Sequence, residues 1–189
     1  MSRIRILGAD PGLATFGLAV IDISDEQDVL IHAGSILTAK SNKKLGVLVA
    51  EDNVRRTRDL LAALAPLLAA NDIRAICAER FSAPRNSSAA AKVALAWGAL
   101  IAHADLLRVP IVQPSPQEVK LAVCGKRSAS KTEVEIAMRQ RYRGPVSTEA
   151  LAEMDDNLAP SHQEHAFDAM AVAVACLDSD IIRAVRGRG

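Results

Sequence analysis

"ILGADPGLATFGLAV" (residues 6–20) places one acid, Asp10, inside an apolar run and follows it at once with Pro11 and Gly12. Apolar, β-branched stretches at residues 4–9 and 15–23 flank the "DPG" step, and a third at 29–37 follows the polar "SDEQD". This spacing predicts three neighbouring strands in an antiparallel meander. Taken alone, "DPG" is an ordinary turn opener, since Pro presets φ and Gly tolerates the tight bend. The alternative is that a strand delivers a carboxylate to a sheet edge that needs one. The rest of the chain decides between them.

Half of the 189 residues are apolar, enough for a single domain over residues 1–189 that buries about 70% of its unfolded surface. Cys77, Cys124 and Cys176 are far apart and set among apolar neighbours, so they read as buried reduced thiols and not as a disulfide frame or zinc site. The amino terminus enters a strand pattern directly and no uninterrupted apolar run reaches the ~20 residues of a bilayer span. A soluble, cytoplasmic protein without a membrane partner is expected.

Net charge is only +1, which argues against a uniformly basic nucleic-acid binder, but the charge is patterned. Residues 120–143 hold seven cations (Lys120, Lys126, Arg127, Lys131, Arg139, Arg141, Arg143) against Glu133 and Glu135, and residues 144–168 hold six acids and no Lys or Arg. A basic block beside an acidic one suits a polyanion held near a metal site; solvated charge on helix faces is the bland reading.

After "TAKSNKK" the apolar period lengthens (Leu48, Val54, Leu60, Leu61, Leu64, Leu67, Leu68) and predicts a long helix, kinked or broken near Pro66. "IRAICAE" (73–79) reads as a short buried strand ending on an acid. Ser87 or Ser88 caps an alanine-rich helix to about residue 107, "VPIVQ" supplies a strand, and "SPQEVKLAV" a short helix opened by Ser and Pro. A helix follows over about 131–142. Residues 144–161 read as an irregular, flexible loop, the last helix as about 162–177, and residues 183–189 as a frayed basic tail. Strands first, then alternating helices and strands, predict a three-layer α/β domain on a mixed sheet.

Three places put ligand-type side chains where a sheet-edge site wants them: Asp10 closes the first strand, Glu79 closes "IRAICAE", and His165 and Asp168 share one face of the last helix at i, i+3. If the two acid-bearing strands are adjacent and parallel, both carboxylates emerge at the edge where open α/β sheets bind ligands. Each residue has an innocent reading: a turn opener, a solvated strand end, a surface histidine, an acid at a helix start. Together they are harder to dismiss, because an acid after "AIC" and another before "AMAVAVAC" are costly placements without a compensating cation.

The order of these elements resembles the RuvC-type Holliday junction resolvases of the RNase H-like superfamily. "ILGADPGLATFGLAVID" is similar to the family's first hairpin, "AICAERFSAPRN" to its Glu-bearing strand end, "VKLAVCGKRSASK" to its lysine-ended loop, and "HAFDAMAVAVA" to its catalytic last helix. The resemblance implies an RNase H-like three-layer fold with a five-stranded mixed sheet flanked by helices. It also implies a nuclease that cuts four-way junction DNA by paired symmetric nicks, with Asp10, Glu79, His165 and Asp168 as metal ligands; Asp10, placed centrally, is the candidate for the bridging one. Two Mg2+ per site are expected, with Mn2+ as an alternative because imidazole suits the softer ion. Glu164 is a reserve ligand. Lys120 and Lys131 fall on the family's basic positions beside the scissile phosphate, and Phe81, Arg85, Lys126 and Arg127 are candidate DNA contacts. A homodimer packed through the alanine-rich helix is expected, with RuvA and RuvB branch-migration proteins as further candidate partners.

Two departures stand out: Arg127 replaces a common second glycine, and Ser82 stands where the family places an aromatic probe three residues beyond the Glu. Phe81 is therefore a base wedge or plain core. Glu51 and Asp52 fit a solvated helix start better than a ligand role. The rival readings are an RNase H-like nuclease of other specificity (flap or branched DNA, RNA processing) and a catalytically silent junction-binding protein.

Overall fold

The structure, a computed structural model, describes residues 3–42, 46–82 and 85–187. Strands β1 (Ile4–Asp10), β2 (Thr15–Ile23) and β3 (Asp28–Leu37) form the expected meander. They are followed by α1 (Val49–Asn71), β4 (Ile73–Ala78), α2 (Ser87–Leu107), β5 (Ile111–Val112), α3 (Pro116–Cys124), α4 (Lys131–Arg141), α5 (Pro145–Asn157), α6 (Pro160–Cys176) and α7 (Asp180–Arg186). The five strands lie in the order β3-β2-β1-β4-β5, with β1 antiparallel to β2 but parallel to β4, and β4 parallel to β5. This is the mixed sheet that the order of patterns predicts.

Strand alternation separates two cores. Leu7, Ala9, Phe16, Leu18, Val20, Ile76 and Ala78 meet α1 and α2 on one face. Ile4, Ile6, Ala19, Ile21, Ala75 and Cys77 meet α6, with α3, α4, α5 and α7 around it, on the other. Cys77 and Cys176 are buried in this second core, and all three cysteines are free, Cys124 being half-buried.

Five local readings of the sequence are corrected. Residues 144–161 are not a loop: α5 occupies most of them, with Pro145 opening it and Ser147, Ala150, Leu151 and Met154 buried along one stripe. Ser147 accepts from the Leu30 amide of β3 at 3.0 Å. Pro160 then opens α6 earlier than expected. The tail is structured as far as Arg186, because Ser179 caps α7, Ile182 is buried and Arg186 pairs with Asp25 at 2.6 Å; residues 188–189 of the expected frayed tail lie outside the described residues. Helix α1 is not broken at Pro66 but runs through it as one element, since Pro66 and Ala62 both sit on its exposed side, where the carbonyl that the proline leaves without a donor is open to solvation. Finally, Asn86, not a serine, caps α2 by accepting from the Ala89 amide at 3.0 Å.

Helix α2 has the length and mean hydropathy of a membrane span, although Lys92, His103 and Asp105 interrupt its apolar run. Here one side of it, including Ala96, Trp97, Ala99, Leu100 and Ala104, is packed on the sheet.

Candidate active site

Parity explains why the acids face one way. Asp10 continues the alternation of Ile6 and Gly8, and Glu79 that of Ala75 and Cys77, the residues turned toward α6. The parallel register sets Ala9 beside Ala78, so Asp10 and Glu79 leave neighbouring strands at the same edge. Past Glu79 the chain is pinned by the Arg80 amide, which donates to the Pro114 carbonyl at 2.8 Å.

Helix α6 reaches this edge because two glycines let it. A Cβ on Gly8 would collide with the Ala169 carbonyl, and one on Gly17 with that of His165. The helix backbone therefore rests on β1 and β2 without an intervening side chain. Ser35 adds a tether by donating to the His162 carbonyl at 2.8 Å. The result is a direct contact between His165 Nδ1 and Asp10 Oδ2 at 2.6 Å.

The four residues feel one another. Burial, then the charges of Asp10 and Asp168, push the Glu79 carboxyl up, opposed by Lys120 and Lys131. Burial, then Asp10, does the same to Asp168. The hydrogen bond to Asp10 raises the His165 imidazole against the effect of its burial. Half-buried carboxylates that oppose one another's ionisation make an edge that a divalent cation would stabilise. Hard oxygens with one imidazole suit Mg2+ or Mn2+ in kind. Among the described residues, however, no three His, Cys, Asp or Glu side chains stand close enough to hold an ion as they are. The contact is Asp10 with His165; Glu79 and Asp168 join through charge.

Positive charge frames the edge. Lys120, on α3, is half-buried, and its charge reaches Glu79. Lys131, the first residue of α4, pairs with Glu164 and lies 3.5 Å from Asp168 Oδ2. Lys126 pairs with Glu133, which also closes the capping box of α4 with Ser130, while Arg127 and Arg85 are exposed. Phe81 is not plain core: it is 43% exposed and stands edge-on to Trp97 of α2, ring centroids 6.2 Å apart. Ser82 is exposed as well. Glu51 is exposed at the start of α1. Asp52 departs from the solvated reading, since its Oδ1 accepts from the Ser41 amide at 2.9 Å and from Arg55 at 2.8 Å.

Supporting residues escaped the sequence reading. Arg56 of α1 is 1% exposed; its Nε donates to Thr38 Oγ1 at 2.9 Å and its Nη2 to the Leu13 carbonyl at 3.3 Å, while Thr38 Oγ1 also donates to that carbonyl. The turn after Asp10 is thus fastened from behind. Arg139 lies 4.7 Å over the Phe167 ring and makes two 2.9 Å bonds to Asp155, tying α4 and α5 to the residue before Asp168. The glycines had a legible signal, being Gly at alternating, inward-facing strand positions; a buried Arg among leucines had none.

A family model described as crossover junction endodeoxyribonuclease RuvC matches residues 6–176. The chain belongs to the RuvC family. Relatives named crossover junction endodeoxyribonuclease RuvC include those of Synechococcus sp. (strain CC9902), 35% identical over 90% of this chain and 96% of its own, and Parasynechococcus marenigrum (strain WH8102), 33% identical with the same coverage. Among solved structures, T. thermophilus RuvC in complex with Holliday junction substrate superposes with a TM-score of 0.70 at 25% identity, covering 91% of this chain and 92% of that one. The yeast mitochondrial Holliday junction resolvase Ydc2 shares the fold, with a TM-score of 0.63 at 14% identity over 91% of this chain and 77% of its own. The match to the RuvC family spans the hairpin, the parallel β1–β4 pair and α6 together.

Proposed function

We propose that this RuvC family member is a soluble, cytoplasmic endodeoxyribonuclease that resolves four-way DNA junctions by paired symmetric nicks. The observation that carries the reading is the convergence of Asp10 with His165, and of Glu79 and Asp168 by charge, at one sheet edge flanked by Lys120 and Lys131. Asp10, Glu79, His165 and Asp168 would hold two Mg2+ ions, Mn2+ being the alternative. When bound, such ions would supply Lewis-acid activation of water and charge compensation for the leaving oxygen. Lys131 and Lys120 offset charge that builds on the phosphate oxygens. Arg85, Lys126 and Arg127 grip neighbouring phosphates, so affinity falls as salt rises. Phe81 offers a partly exposed ring to an unstacked base.

A four-way junction has two-fold symmetry, and a homodimer supplies two matched sites. Helix α2 supports this, because Ala91, Ala94, Gly98, Ile101 and Ala102 lie exposed along its outer side. RuvA- and RuvB-type branch-migration proteins are the further partners that family membership suggests. The test is cleavage of labelled four-way junction, flap, duplex and RNA:DNA hybrid, with Mg2+ and with chelator, by the native chain, Asp10→Asn and Glu79→Gln. Paired nicks in the junction alone, lost in both variants, are expected. Equal cutting of flaps or hybrids assigns the chain another nuclease specificity, and binding without cutting makes it a silent junction binder.

A further inference from the structure

Lys131 is engaged twice before any DNA arrives. Its ammonium pairs with Glu164 and lies 3.5 Å from Asp168 Oδ2. Glu164 sits one helical turn before Asp168, on the same side of α6, yet its carboxylate turns to α4 and Lys131. It is exposed at the rim of the edge. The sequence offered Glu164 as a reserve metal ligand. The contacts suggest a different task.

We propose that Glu164 is a positioning residue that acts through Lys131: it holds the ammonium at the rim and must yield it to a DNA phosphate before the site is filled. This inference rests on the nuclease reading above. Two effects follow from one carboxylate. A strand approaching the rim meets a negative charge, which weakens ground-state binding of any duplex arm. A phosphate that seats correctly displaces that charge from Lys131 and takes over the ammonium, which remains beside Asp168. Glu164 thereby charges every phosphate an electrostatic toll, recovered only where Lys131 can be reached. Because both partners are largely exposed, the effect is modest.

A double-mutant cycle tests this. Binding of labelled four-way junction is measured in chelator for the native chain, Glu164→Gln, Lys131→Gln and the double variant, across a salt series, with thermal melts to show that each is folded. Glu164→Gln is expected to bind the junction about three- to five-fold tighter at low salt, consistent with an exposed ion pair, and with a steeper salt dependence by about one phosphate contact. In the Lys131→Gln background most of that gain disappears, because the residue through which Glu164 works is absent. The same gain in both backgrounds, or none in either, overturns the proposal. So does a several-fold rise in the Mg2+ concentration needed by Glu164→Gln for cleavage with junction affinity unchanged, which would make it a ligand. Since binding is read in chelator, a chain that binds junctions but never cuts them refutes the nuclease reading while leaving the cycle readable.

Discussion

Helices α6 and α2 are both rich in alanine, and they are used in opposite ways. Around Ala169, Met170, Ala171, Val172 and Ala173, α6 is buried on every side, pressed on the sheet through Gly8 and Gly17 and covered by its neighbours. Helix α2 packs one side on the sheet and leaves Ala91, Ala94, Gly98 and Ile101 in the open. Small residues in α6 permit close approach to a strand; in α2, Ala96, Ala99 and Ala104 are buried, while the small residues on its outer side are left exposed among the described residues. The comparison teaches that one composition sets the site's geometry in one helix and prepares an outer surface in the other.

Removing the charge that α6 delivers has the largest expected effect. Asp168→Asn should lower junction cleavage on the order of 10²–10³-fold, the range seen when one preorganised electrostatic group is lost, while the melting temperature stays within a few degrees. Native-like turnover in this variant would remove Asp168 from the site. Gly17→Ala comes next: the added methyl meets the His165 carbonyl, so a cost of about 1–3 kcal/mol is expected from overpacking, seen by denaturant titration, together with reduced cleavage.

The matching change in α2 sharpens the contrast. Nothing lies within 4 Å of a Cβ built on Gly98, so Gly98→Ala should leave the fold intact or stabilise it by about 0.5–1 kcal/mol. The bulkier Gly98→Arg should instead split the proposed dimer in sedimentation, turning paired nicks into single ones. A monodisperse, unchanged dimer in that variant would move the interface elsewhere.

The smallest effect concerns Asp28, which ties β3 to the end of α4. Burial pushes its carboxyl up, but hydrogen bonds from Arg141 and Tyr142 outweigh this and hold it below the usual carboxylate range. Its folded value is depressed, so its contribution is present above the unfolded value of about 3.9 and is lost as pH falls through the folded one. Asp28→Asn should remove that acid sensitivity and cost at most about 1 kcal/mol near neutrality, as read from urea midpoints at pH 7 and in acid.

Much of the fold was legible because its signals are local. The "DPG" hairpin, the acid ending "IRAICAE" and the His165/Asp168 spacing each announce themselves within a few residues, and parity then turns both strand acids toward α6. What was not legible depends on partners far away in sequence. Helix α5 hid because its buried stripe is made of Ser147, Ala150, Leu151 and Met154, weakly apolar until β3 and α6 cover it. Arg56 looked like one more helix cation, and only tertiary structure shows it clasping Leu13 and Thr38. Glu164 could be placed on the ligand face by spacing, but its pairing with Lys131 crosses from one helix to another.

The bond from the Leu30 amide to Ser147 has a consequence for assembly. β3 is an outer strand, and α5 takes up one of the donors by which a foreign strand would zip alongside it; β5, at the other border, is only two residues long. One border is thus interrupted by α5 and the other is short, and both features disfavour β-augmentation. Both borders are thereby poor starting points for runaway sheet extension.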